Sequence, residues 1–192
     1  MENTRTSRIA LTVWLPAVIG LGAYLLAGHF ALPPVASDAK MRAAVTQSAH
    51  AEHGPVVLHF LYGDCRCSAA VLAHLVVRGP RAGHDERIFL IDGSVSDLTR
   101  ARSAGFTAEI VTAADVQDKY GVEGAPLLVI ADRASTIVYE GGYTTTKQSP
   151  AIRDEAILAR VEQGETVEAL PIFGCAVSDR LKQGRDPLAL GR

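Results

Sequence analysis

The sequence predicts an α/β domain, a central sheet with helices on both faces, behind an apolar N-terminal segment. Three observations predict it. Near-continuous apolar runs of strand length, Val56–Tyr62 (VVLHFLY), Arg87–Ile91 (RIFLI) and Leu127–Ala131 (LLVIA), suit strands buried on both faces. Segments of helical composition separate them, the alternation that builds layered α/β folds. Glycine and proline punctuate the joints, at Pro55, Gly63, Gly79, Gly105 and Gly121.

Taken in order, residues 1–8 form a short polar terminus and Ile9–Ala27 (IALTVWLPAVIGLGAYLLA) carries no formal charge. A helix of that length spans a bilayer core of ~30 Å at ~1.5 Å per residue. Arg5 and Arg8 precede it, so the positive-inside rule leaves the N-terminus in the cytoplasm, although Lys40 and Arg42 on the far side weaken that assignment. A cleaved signal peptide and a buried core helix are the alternatives. Residues 28–53 read as a linker (LPPVAS) and a short helix over Asp38–His50. Residues 54–163 hold the domain. Helices are expected over Ala69–Val77, Ser96–Ser103, Ala114–Tyr120 and Ile152–Gln163. Shorter strands are expected at Ala108–Thr112 and Thr136–Tyr139, the latter pairing back across a turn at Asp132–Ser135. Residues 164–192 form a C-terminal extension with a short helix over Val177–Lys182.

Hydrophobic residues make up 48% of the chain and charged residues 21%, enough apolar surface for a packed core. Net charge is −2 without a basic run, which excludes a nucleic-acid surface. No P-loop, dinucleotide-binding fingerprint or nucleophilic-serine elbow is present.

The three cysteines, Cys65, Cys67 and Cys175, are too few for a disulfide scaffold of this size, so they point to chemistry. Cys65-Arg66-Cys67-Ser68 lies where a buried strand turns into a helix. Backbone N–H groups at a helix start are unpaired and partly positive, which stabilises a thiolate and lowers its pKa. Arg66 adds a cation nearby. The bland alternative is that both cysteines are small buried residues.

At these residues the chain resembles the thioredoxin superfamily. VVLHFLYGDC is similar to the family's central strand running into its nucleophilic cysteine, which puts Cys65 in that role. GVEGAPLLVI is similar to its second landmark, a loop entering a strand through a cis-proline, which puts Pro126 opposite the nucleophile. The resemblance covers about Gly54 to Gln163 and implies a thioredoxin-like fold. The stretch Gly93–Thr112, with its added helix and strand, resembles the membrane-tethered reductases of cytochrome c maturation and the peroxiredoxin-like branch. Ser68 stands where the family carries its resolving cysteine, so Cys67 is the expected resolver, with Cys175 as the alternative. His59 stands where the family carries a buried carboxylate, and the resemblance implies a proton acceptor there; a hydrogen-bonded core histidine is the alternative. Asp64 replaces an aromatic residue and would oppose the lowering of the Cys65 pKa.

If the C-terminal extension folds back, Cys175 resolves a disulfide on Cys65 or Cys67, or supplies a third thiolate ligand; otherwise it packs as a small hydrophobe. Three thiolates, with His59 or His74, would suit Cu(I) or Zn, whereas His50 and His53 read as solvated. The leading expectation is thiol–disulfide exchange on exported proteins by a single-pass inner-membrane protein whose soluble domain faces the periplasm or exterior. It uses Cys65, Cys67, Pro126, Cys175 and His59, with no resident cofactor or metal. Copper delivery by the same thiols and a redox-inactive binding module are the alternatives.

Overall fold

The computed structural model describes residues 11–22, 31–32, 38–48, 55–147 and 149–185. The chain divides into two compact units, Met1–Phe30 and Ala31–Arg192. In the first, residues 11–22 are helical (α1). Among the described residues no helix is long and apolar enough to cross a membrane, and both ends of the Ile9–Ala27 segment lie outside them.

The second unit runs α2 (Asp38–Ser48), β1 (Val56–Tyr62), α3 (Arg66–Arg78), β2 (Asp85–Ile91), α4 (Val95–Ser103), β3 (Thr107–Val111), α5 (Ala113–Tyr120), β4 (Gly124–Ala125), β5 (Leu127–Ala131), β6 (Ile137–Gly141), α6 (Asp154–Glu162), β7 (Cys175–Ala176) and α7 (Asp179–Arg185). Five strands form one mixed sheet in the order β3-β2-β1-β5-β6. β1, β2 and β3 are parallel, and β5 and β6 turn the sheet antiparallel. The helix and strand expected within Gly93–Thr112 become α4 and the edge strand β3.

The period of two along β1 divides the core into two layers. Val56, Leu58 and Phe60 face Met41 and Val45 of α2 and Val116 of α5. Val57 and Leu61 face Val71, Leu72 and Leu75 of α3 and Ile157 and Leu158 of α6. Every residue of β5 is buried, as a strand covered on both faces requires.

The boundaries differ from expectation where backbone bonds run elsewhere. The helix expected over Ala69–Val77 begins at Arg66, because Ala69 N donates to the carbonyl of Cys65 at 2.9 Å and makes Cys65 the cap. The helix expected over Val177–Lys182 begins at Asp179, because Val177 N and Ser178 N both donate to the Glu123 carbonyl. That detour creates a second, two-stranded sheet, β4 with β7, which periodicity did not foresee. It brings the C-terminal extension onto the domain, where Ile172 and Val177 are buried in the α2 and α5 layer.

Candidate functional site: three thiols beside a cis-proline

β1 delivers the chain to the site and α3 carries it away. Gly63 makes the turn because its Cα passes so near the neighbouring loop that a Cβ would lie 2.5 Å from the Asp92 carbonyl. Cys65 then caps α3 in an extended conformation, its N–H donating to the Tyr62 carbonyl at 3.1 Å. The residue is only 2% exposed. The Ala125–Pro126 bond is cis, as the GAP motif led us to expect, and the Cys65 S–H lies 3.8 Å from the Ala125 carbonyl oxygen, its acceptor.

Cys65 is acidic for a thiol, brought down to about 6. The largest cause is a hydrogen bond from the Cys175 thiol; burial works against it, and the N–H and hydroxyl of Ser68 and the N–H of Cys67 add to it. This is the helix-start effect expected from sequence, with a neighbouring thiol as its strongest component. Ser68 is a contributor that the sequence reading passed over. Its Oγ is buried, accepts from Tyr62 N at 3.0 Å, and so presents its own hydrogen to Cys65. A hydroxyl three residues after a capping cysteine was the available signal. Arg66 and Asp64, expected to pull in opposite directions, are both exposed, and the thiol is governed by the groups just named.

Cys67, in the first turn of α3, is half-buried. Burial and the adjacent Cys65 charge push its thiol up. It lines a cleft of about 330 Å³ with Pro126, Tyr143, Ile152 and Phe173. Cys175 is half-buried on β7, directly opposite Ala125 in the β4 ladder. No disulfide joins the three thiols.

His59 sits elsewhere. It is fully buried, with Nε2 2.7 Å from Glu86 Oε1 and Nδ1 2.7 Å from Tyr143 Oη. Nε2 faces a carboxylate and donates to it, and Nδ1 bonds the tyrosine hydroxyl. Both ring nitrogens are thereby engaged within the core, and Tyr143 stands between His59 and the cleft that Cys67 lines. His74 bonds Asp154 at 2.9 Å. His50 and His53 lie outside the described residues. Among the described residues no group of three or more His, Cys, Asp or Glu side chains is placed to hold a metal ion.

No protein-family model matches the chain, and no curated protein matches it. Solved structures do. An uncharacterised conserved protein from Geobacillus kaustophilus superimposes with a TM-score of 0.51 and 18% identity, over 66% of this chain and 77% of its own. A hypothetical protein from Sinorhizobium meliloti 1021 does so with a TM-score of 0.50 and 15% identity, over 69% and 82%. A secreted Mycobacterium tuberculosis disulfide oxidoreductase homologous to E. coli DsbE is similar at a TM-score of 0.43 and 18% identity, over 61% and 85%. With a mixed sheet in this order, a cysteine capping the helix after the central strand and a cis-proline against that cysteine, the chain has the thioredoxin-like fold.

Proposed function

We propose that this chain is a thiol–disulfide oxidoreductase acting on cysteines of exported proteins, held by its N-terminus at the inner membrane with its domain outside the cytoplasm. The observation that supports it most is the Cys65 environment. A thiol near 6 is largely ionised at neutral pH, and the thiolate is the form that attacks a disulfide. Attack joins Cys65 Sγ to one sulfur of the substrate and releases the other as a thiolate, which takes a proton from water. A second thiol of the protein then displaces the bound sulfur. The cleft beside Cys67 and Pro126, walled by Ile152 and Phe173, is suited to an apolar side chain next to the reacting cysteine of an extended segment.

The competing reading is Cu(I) held by two of the same thiols, and what favours it is that Cys175 and Cys67 are both neighbours of Cys65. The full-length protein in detergent decides between them. Exchange predicts catalysed insulin reduction or equilibration with glutathione buffers, lost in Cys65→Ser. Copper delivery predicts stoichiometric Cu(I) uptake by the reduced protein with little exchange. Neither activity, with Cys65 inert to alkylation at pH 7, leaves a binding module and ends the enzyme reading.

A further inference from the structure

Cys65 has two thiol neighbours, and only one of them is placed by a built interface. The C-terminal segment that carries Cys175 is anchored on both sides of it. Before it, Gly174 presses on the cis-proline loop so closely that a Cβ would lie 1.8 Å from the Ala125 carbonyl and 2.6 Å from Pro126 Cδ. After it, Val177 N and Ser178 N bond the Glu123 carbonyl at 2.7 and 3.2 Å, and Arg180 pairs with the buried Glu123 carboxylate. Between these anchors Cys175 faces Ala125 across the ladder, and the Ala125 carbonyl is the group that Cys65 Sγ meets. Cys67 stands differently. It belongs to the first turn of α3, two positions from Cys65, and side chains two apart on a helix do not face each other. A bridge between them would have to pull that turn open, and disulfides resist such distortion.

We propose that Cys175 is the resolving thiol, so that the oxidised protein holds a Cys65–Cys175 disulfide and Cys67 stays a thiol in the cleft. This assignment rests on the exchange reading and completes it. Once Cys65 is joined to a substrate sulfur, Cys175 loses its proton to water and attacks Cys65 Sγ. The new Cys65–Cys175 bond forms as the Cys65–substrate bond breaks, and the substrate sulfur leaves as a thiolate that is protonated. Across the cycle the substrate disulfide gains two electrons and two protons, and the protein's two thiols become one disulfide. An external dithiol restores them by the same two exchanges, and with a substrate dithiol the sequence runs in reverse. The carbonyl that Cys65 Sγ meets belongs to the residue that Cys175 faces across the ladder, so the attacking and resolving groups both adjoin Ala125 before reaction.

The sequence makes the test direct, because Arg66 separates Cys65 from Cys67. Trypsin places Cys65, Cys67 and Cys175 on three different peptides, residues 43–66, 67–78 and 161–180. Full-length protein is equilibrated with oxidised and reduced dithiothreitol, acid-quenched, alkylated, digested and mapped by mass spectrometry. The expected product joins peptide 43–66 to 161–180 and is retained in Cys67→Ser. A second readout is the pH profile of Cys65 alkylation in the Cys67→Ser background. Its midpoint near 6 should rise towards the ordinary thiol value of ~8.5 when Cys175→Ala is added. In glutathione buffers Cys175→Ser should accumulate a Cys65–glutathione mixed disulfide that Cys67→Ser does not. A dominant link between 43–66 and 67–78, with an unmoved alkylation midpoint in Cys175→Ala, overturns the assignment and leaves exchange through Cys67. No intramolecular link at any ratio overturns both this assignment and the exchange reading.

Discussion

Arg78 leaves α3 between two buried carboxylates, Glu86 on β2 and Asp154 at the start of α6, and bonds both. His59 closes the set from β1 onto Glu86, and Tyr143 bonds His59 in turn. Burial alone would raise the Glu86 carboxyl, but hydrogen bonds from His59 and Arg78 outweigh it and bring the group down to about 2. Removing one member of a buried charge set strands its partner, at a typical cost of ~3–5 kcal/mol. Glu86→Gln should therefore lose roughly 3 kcal/mol in urea unfolding at pH 7. Because the folded carboxyl lies below its unfolded value of ~4.3, its contribution is complete above that value and is lost as pH falls towards 2. The stability gap between wild type and Glu86→Gln should hold from pH 7 to about 5 and close as pH falls from ~4.3 towards 2. A gap that does not change with pH would show that Glu86 is not held ionised by this network. None of it was legible in the sequence beyond a histidine inside an apolar run, since His59 meets partners 27 and 84 residues away.

Among the elements, the three buried strands of the central sheet and the helices between them were legible because each repeats a pattern over five residues or more. β4 and β7 were not, because each is two residues long and a two-residue strand has no period to read. The docking of the extension is written instead in glycines at which it comes close to the domain. A Cβ on Gly142 would lie 2.0 Å from the Pro171 carbonyl, and one on Gly174 would lie 1.8 Å from that of Ala125. Backbone atoms cannot rotate out of the way as a side chain can, so Gly174→Ala must lift the segment. The expected cost is ~1–3 kcal/mol in chemical unfolding. Cys65, 2% exposed beneath this segment, should then react markedly faster with a bulky maleimide, while its rate with iodoacetamide changes less. Wild-type stability together with an unchanged ratio of the two rates would mean that β7 is not seated on β4 in solution.

For the whole molecule, the proposed exchange belongs to the domain, and the N-terminal unit bears on where that exchange would take place. The α/β architecture was legible down to the cis-proline, because apolar runs and a glycine-flanked proline are local signals. The position of Cys175 was not, because it depends on the extension folding back over the site. In the N-terminal unit, helix α1 exposes Leu11, Val13, Trp14, Leu15, Val18, Ile19 and Leu21, each 45% or more. A helix that is apolar on every side is unfavourable in water and suits a bilayer. Its twelve residues rise about 18 Å, short of a ~30 Å core, while the uncharged Ile9–Ala27 stretch of the sequence is long enough to span one. With Arg5 and Arg8 ahead of that segment, we predict a single crossing with the thiols outside the cytoplasm. Alkaline phosphatase, active only after export, and a fluorescent protein that matures only in the cytoplasm, each fused after Lys40, report the side directly. The phosphatase fusion should be active and the fluorescent one dark, with both remaining in the membrane fraction after carbonate washing. Release of an active phosphatase fusion into the soluble periplasmic fraction would replace the anchor with a cleaved signal peptide. Strong cytoplasmic fluorescence with an inactive phosphatase would put the thiols in a reducing compartment and remove exported proteins as their substrates.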